Sequence, residues 1–325
     1  MTREARTLRG GRDYPRHFPE FLSWFPSEEA CLRYLEALRW AEGAFACPHC
    51  GVVGEAYWQM ADGWRRCGAC RRECSPTSGT IFEGTRHSLQ TWFYAMWFVV
   101  SQKTGVSALG LKRELGLGSY ETAWAWLHKL RRAMVVPGRD LLAGPVEVDE
   151  TFVGGVKSGA GGRTPGAKAI VAIAVEARAE GPGRVRMRRV PDTSQASLTP
   201  FVEDFVQAGS EVQTDGWSGY SELDRLRAYD HTITNLSQSG EPAHVLMPHV
   251  HRVASLFKRW LLGTHQGGVA WQQLDYYMDE FTFRFNRRHS RHRGLLFYRL
   301  LEGAVATTPR PYGNIIVPRS AGPLN

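Results

Sequence analysis

The chain has 325 residues, of which 43% are hydrophobic and 22% charged, with 40 Lys and Arg against 32 Asp and Glu and a pI near 9.3. That is enough apolar material for two or three packed domains, and the composition is not that of a disordered chain. The longest purely apolar run, Trp92 to Val100, is nine residues long against the ~20 a membrane span needs, and the Arg-bearing N-terminus has no apolar core of a signal peptide, so neither a membrane nor a secreted protein is expected.

In chain order, residues 17–41 carry a helical stretch from Ser27, a candidate N-cap, through Leu32, Leu35 and Leu38. All six cysteines, at 31, 47, 50, 67, 70 and 74, fall in the first quarter of the chain. Clustering of that kind points to metal in an intracellular protein rather than to a disulfide framework, and the chain is expected in the cytoplasm. Cys47-Pro-His-Cys50 and Cys67-Gly-Ala-Cys70 stand sixteen residues apart. This is the spacing of a zinc ribbon, in which two tight turns each supply two thiolates to a closed tetrahedral site. A structural zinc ion on Cys47, Cys50, Cys67 and Cys70 follows. Cys74 reads as a small core or surface residue or as a substitute ligand, and Cys31 as buried packing.

The next helix spans Ser88 to Lys103 and stops at Gly105. Two more, at 107–115 and 119–134, flank a glycine turn, with Ser119 as cap and Glu121 suited to the dipole of the second. Its apolar stripe is Ala123, Leu127, Leu130 and Met134, which leaves His128, Lys129, Arg131 and Arg132 for other faces. As a helix-turn-helix, those four would contact DNA phosphates; as a plain helical hairpin, they would form a solvated basic face. Residues 135–146, with two Pro and two Gly, read as a linker.

Beyond the linker the pattern changes to strands, at 146–153, 169–175 and 184–190, the last two joined by a turn at 180–183. A helix near 196–208, strands at 210–214 and 229–234, and helices at about 249–263 and 271–286 follow. This is a mixed α/β order, an antiparallel hairpin on one side of a sheet and crossovers on the other. The glycine-rich stretch 154–168 lacks the Gly-Lys-Ser/Thr of a P-loop and reads as a hairpin connection, with Lys157, Arg163 and Lys168 available to DNA.

Asp149 interrupts a strand of Val146, Val148, Phe152 and Val153, and Asp215 ends another at Thr214-Asp215-Gly216. An unpaired carboxylate is costly to bury, so each must face solvent, a partner or a metal. On neighbouring strands the two would hold hard divalent cations such as magnesium. His251 and Lys258 are seven residues apart on one helix, two turns along the same face. Between 245 and 300, nine Lys and Arg face three acids. Arg252, Arg259, Arg287 and Arg288 in that stretch read as contacts of a phosphate-tracking groove beside the aspartates.

The stretches CPHC…CGAC, VEVDETFVGG (146–155), GSEVQTDGWSGY (209–220), HRVASLFKRWLLGTHQGGV (251–269) and DEFTFRFNRR (279–288) together resemble the bacterial insertion-sequence transposases of the DDE superfamily that carry an N-terminal zinc ribbon. The resemblance implies a multidomain chain, with a zinc ribbon and a helix-turn-helix segment ahead of an α/β RNase H-like mixed sheet flanked by helices. It places an N-terminal helix and ribbon at 1–80, a helical DNA-binding segment at 81–140, the catalytic domain at 141–305 and a C-terminal tail at 306–325. It also implies two magnesium or manganese ions on Asp149, Asp215 and a third position seven residues before the family's lysine. Here that lysine is Lys258 and the third position is His251, where many relatives carry Glu or Asn. Imidazole favours softer metals than magnesium, and direct ligation, ligation through water and DNA contact are all compatible with it. Glu241, His249 and Glu280 are the other candidates for that place.

The implied activity is metal-dependent cleavage and strand transfer on double-stranded DNA, at element ends and target, by a homodimer or larger assembly in the nucleoid. Two other functions share these features. One is a zinc-ribbon DNA-binding regulator that has lost catalysis; the other is an RNase H-like nuclease or resolvase.

Overall fold

The computed structural model describes residues 7–40, 45–54, 57–60, 64–135, 138–154, 168–234, 240, 243–266, 269 and 271–316. Along the chain these form α1 (Phe18–Trp24), α2 (Glu28–Arg39), β1 (Tyr57–Gln59), β2 (Arg65–Cys67), β3 (Glu73–Cys74), α3 (Leu89–Ser101), α4 (Ala108–Leu115) and α5 (Tyr120–Ala133). There follow β4 (Pro145–Val153), β5 (Ala169–Arg178), β6 (Gly181–Val190), α6 (Gln195–Phe205), β7 (Glu211–Asp215), α7 (Glu222–Leu226), β8 (Asp230–Thr234) and α8 (Ala243–Leu246). Last come α9 (Pro248–His265), α10 (Leu274–Asn286), α11 (Arg293–Ala306) and α12 (Tyr312–Ile316). The chain divides into two compact units, Met1–Val136 with His289–Ile315, and Pro137–Arg288 with Ile316–Asn325.

In the first unit, the apolar run read at 92–100 becomes the buried α3, because a helix hydrophobic all round must lie inside. Ser88 caps it by accepting the Thr91 N–H at 3.1 Å. Phe25, Phe93 and Phe297 meet around it with ring centroids 5.0 to 5.7 Å apart. Phe297 belongs to α11, which the sequence pattern groups with the α/β segment but which packs here, on α3 and α5. The approach is backbone to helix: a Cβ at Gly303 would stand 1.8 Å from the Ala133 carbonyl oxygen. Cys31 is fully buried on α2, as expected of a packing residue.

The second unit is built on a five-stranded sheet of order β6-β5-β4-β7-β8. β4, β5 and β6 pair antiparallel, while β7 and β8 join parallel to β4. That order and those directions are those of an RNase H-like sheet. The β5–β6 turn is tighter than 180–183: Arg178 pairs with Gly181, leaving two residues in the loop, and Gly181 takes a φ of +122° that favours glycine. Pro182 and Gly183 are thereby drawn into the strand, past a register shift between Val175 and Ala177.

Side-chain alternation gives the sheet two cores. On one face Val171, Ile173, Val175, Val185 and Met187 pack against Val250, Val253, Phe257 and Leu261 of α9 and Phe281 of α10. On the other, Val146, Val148, Ile170, Ala172, Ala174 and Val212 pack against Leu198, Phe201 and Val202 of α6. In β4 the residues alternating with Val146 and Val148 are Glu147, Asp149 and Thr151, so these three share the α9 face. No helix among the described residues is long and apolar enough to cross a membrane.

Candidate functional site

The ribbon hairpins bring Cys47, Cys50, Cys67 and Cys70 together, their sulfurs all within 4.8 Å of one another. Two edges of this group, Cys47–Cys70 and Cys50–Cys67, measure 3.7 and 3.8 Å. A tetrahedron with Zn–S bonds of ~2.3 Å has edges of about 3.8 Å, so the quartet fits a zinc ion with no open position. Burial pushes the Cys47 thiol up, but the backbone N–H groups of Cys50 and His49 outweigh it and bring the thiol down to about 6. Cys74 is buried 3.9 Å from Cys47, outside the quartet, and its thiol is pushed up to about 12 by burial. It is a core residue, alongside Trp40 and Phe45.

The four basic side chains expected to reach DNA from α5 are not on open surface. His128 is wholly buried with its ring 4.0 Å from that of Trp124, and Arg131 is only 2% exposed. Lys129 is half-buried, 5.9 Å from the Trp92 ring centre, and burial lowers its pKa. Arg132 is half-buried and donates to the Thr308 carbonyl at 3.3 Å. The helix–turn–helix pair is present, but α4 and α11 pack against α5, and Trp126 stacks on Trp92. A helix enclosed in this way has no long face to lay in a groove.

The ribbon sheet carries an open basic-aromatic face that the sequence reading missed. Trp58 lies directly across from Arg66, and Arg66 across from Glu73, with which it pairs at 2.6 Å. Arg71, next to the second knuckle, lies 4.6 Å over the Trp58 ring, and Arg72 is exposed. Tyr57, Arg65 and Cys67 point the other way, into the ribbon core. The signal was the alternation of Tyr57-Trp58 and Arg65-Arg66-Cys67, short enough to be lost between the cysteine turns.

In the second unit, the β4–β7 ladder pairs Pro145 with Glu211, Val146 with Val212 and Glu147 with Gln213. The ladder ends there, and alternation puts Asp149 and Asp215, each two residues further on, on the same face of their strands. Asp215 accepts the Trp217 N–H at 3.0 Å, which folds the following turn back onto the carboxylate, while the Trp217 indole donates to the Thr193 carbonyl at 2.8 Å. Tyr220, 1% exposed, donates to Glu150 at 3.0 Å on the opposite face of β4. Thr214, His231 and Asp224 form a hydrogen-bonded chain of 2.9 and 2.7 Å. Thr214 is completely buried, so this chain braces the strand that carries Asp215 and does not present a nucleophile.

Helix α9 brings His251 to this face, with Nδ1 3.7 Å from an Asp149 carboxylate oxygen. Lys258 is exposed two turns further on; burial lowers its pKa, the Asp149 charge opposes that, and Lys168 adds to the lowering. Arg252 and Arg259 are exposed on α9. Arg287 and Arg288 are engaged by their own fold: Arg287 lies 4.3 Å over the Phe283 ring, and Arg288 donates to the Phe285 carbonyl at 2.9 Å. Of the other candidates for the third position, Glu280 is 1% exposed and paired with Arg284 at 2.7 Å on α10. His249 faces Glu147 at 3.9 Å. Glu241, Lys157 and Arg163 lie outside the described residues.

The start of α9 is held from the sheet. Both the His249 and Val250 N–H groups donate to one oxygen of Glu147, at 2.9 and 2.8 Å. Burial pushes the Glu147 carboxyl up from its ordinary range, while those donors and His249 pull it down.

A four-thiolate ribbon in one unit and, in the other, an RNase H-like mixed sheet with an aspartate on each of two adjacent strands agree with the two domains that comparison with known families identifies. Residues 141–286 match the ISXO2-like transposase domain, and residues 26–73 match the transposase zinc-ribbon domain. A Halobacterium salinarum protein, described as an uncharacterized protein in transposable element ISH50, is 28% identical over 278 residues, covering 80% of this chain and 91% of that protein. The chain thus carries the zinc-ribbon and transposase domains of insertion-sequence transposases, in that order.

Proposed function

We propose that the protein binds the terminal inverted repeats of an insertion sequence and catalyses metal-dependent cleavage and transfer of DNA strands. The observation that supports this is the 3.7 Å approach of His251 to Asp149, with Asp149 and Asp215 each two residues past the Glu147–Gln213 pair on the same face of adjacent strands. Two carboxylates and an imidazole on one face suit divalent cations, and the imidazole tilts the set from magnesium towards manganese. Asp149, Asp215 and His251 would hold them. When bound, such ions activate a water or a 3′-hydroxyl and stabilise the leaving oxygen of an in-line displacement.

The chain's own part is to orient and neutralise. Lys258, exposed beside Asp149, holds a phosphate of the terminal nucleotide and offsets charge that develops there. Arg252 and Arg259 track the backbone along α9. On the ribbon, Arg66, Arg71 and Arg72 contact phosphates with Trp58 against the sugars. This assigns end recognition to segment 1–80 in place of α5, with 81–136 and 289–315 as its support and 137–288, rather than 141–305, as the main source of catalytic groups. Because two ends must be joined, the active form is a dimer or larger on DNA, acting in the cytoplasm.

The test is cleavage at the element's own ends in magnesium or manganese. Wild type nicks at the 3′ ends, while Asp215→Asn binds the same duplex without nicking. End binding by wild type with no nicking in either metal would leave the DNA-binding regulator instead.

A further inference from the structure

Helix α9 begins without the devices a helix usually supplies for itself. Its N-cap position is Met247, whose side chain makes no capping bond, and its first turn has no acidic residue. The first helical residue, Pro248, has no N–H to satisfy. The next two N–H groups, those of His249 and Val250, both go to Oε2 of Glu147, a residue only 3% exposed. Cap and dipole partner are thus both lent by a strand about a hundred residues earlier in the chain.

A second tether comes from the neighbouring strand. Gln213 Nε2 donates to the Leu246 carbonyl at 3.1 Å, just ahead of α9, and to Thr234 Oγ1 at 2.7 Å on β8. Glu147 and Gln213 are paired across the β4–β7 ladder. Each stands two residues before an aspartate, Asp149 or Asp215, and therefore on that aspartate's face. Each strand that carries one of these aspartates also carries a group that fixes the start of α9.

Resting on the catalytic reading above, we infer that Glu147, assisted by Gln213, is a positioning residue. It sets the height of α9 over the sheet so that His251, one residue past the second capped N–H, meets Asp149. Because both bonds go to one oxygen, an amide carbonyl can take the same role, so geometry rather than charge is what position 147 supplies. Groups that bond the ligating side chains themselves change metal affinity by ~10–100-fold when lost, and a cap that places the turn bearing His251 is expected at the lower end of that range.

The test uses the full-length protein and two readouts other than turnover. Hydrogen exchange of peptides spanning 246–256 reports the capped N–H groups, and Mn2+ titration followed by electron paramagnetic resonance reports the metal site. Glu147→Ala is expected to lose protection at 249–250 and to weaken Mn2+ binding at least ~10-fold, with 169–190 still protected. Glu147→Gln is expected to restore both. Gln213→Ala, at a half-buried site, is expected to give the same pattern at lower amplitude, and it carries the test if Glu147→Ala does not fold. Unchanged protection and Mn2+ affinity in Glu147→Ala, or a Glu147→Gln protein as impaired as the alanine variant, would overturn the inference. A wild type that binds no Mn2+ at all would instead sink the catalytic reading, and the exchange data alone would then decide the positioning.

Discussion

Glu176 of β5 is a buried carboxylate held by two arginines. It is 3% exposed and accepts from Arg184 Nε at 2.8 Å, from Arg184 Nη2 at 2.5 Å, from the Arg184 backbone N–H at 3.1 Å and from Arg178 Nη2 at 2.6 Å. Gly183 makes room for this cluster, since a Cβ there would lie 2.7 Å from the Glu176 Cβ. Burial pushes the carboxyl up, but the Arg184 and Arg178 bonds outweigh it and bring it from 4.5 down to about 2. The folded-state pKa is depressed, so the stabilisation is fully present above pH 4.5 and is lost as pH falls from 4.5 towards 2. At ~1.4 kcal/mol per unit, the shift corresponds to about 3 kcal/mol. We expect the urea midpoint of hydrogen exchange over 169–190 to fall in wild type across that window. Glu176→Gln should be less stable at neutral pH, and its midpoint should lack this Glu176-dependent fall, so that the two proteins converge near pH 2. Parallel pH profiles for the two proteins would refute the reasoning.

A zinc ion on the four thiolates would be the larger prop of the ribbon: structural sites contribute ~10–16 kcal/mol, whereas burying Phe45 contributes about 1.5–3 kcal/mol. Cys67→Ala should therefore lose zinc and exchange protection over 45–74, while Cys74→Ser should keep both, as read by metal analysis and mass spectrometry. Gly219→Ala would place a Cβ 2.3 Å from the Thr193 carbonyl oxygen. It should cost about 1–3 kcal/mol by overpacking and displace the turn that holds Trp217 on Asp215, seen as a lower unfolding midpoint of the second unit. Replacing Arg66 and Arg71 with Ala should reduce the slope of log Kd against log salt for end-duplex binding by about 2, with zinc content unchanged. The same double change at His128 and Arg131 should act on stability.

Strand and helix positions were largely legible because their periods are local. Alternation marked Val146 and Val148 as one face and Asp149 as the other, and Ser27, Ser88 and Ser119 announced helix starts that all form. The cysteine quartet was legible for the same reason: two short turns carry the whole pattern. What escaped depends on packing between distant segments. Charge at 128, 129, 131 and 132 looked like a DNA face, yet α4 and α11 close around that helix, and no local signal tells which sides of a helix will be covered. Phe297 gave no hint that α11 would return to α3. Glu147 passed unremarked beside Asp149 because its partners, the His249 and Val250 N–H groups, lie about a hundred residues away.

The most direct test of the central claim is strand transfer in a purified system. Precleaved end duplexes of the element, a plasmid target and Mn2+ are incubated with wild type, Asp149→Asn and Asp215→Asn, and joined products are scored on a denaturing gel. Joining by wild type, abolished by either substitution while end binding and zinc content persist, is the predicted result. Joining that survives both substitutions, or wild-type protein that binds ends and metal but never joins them, would contradict the account.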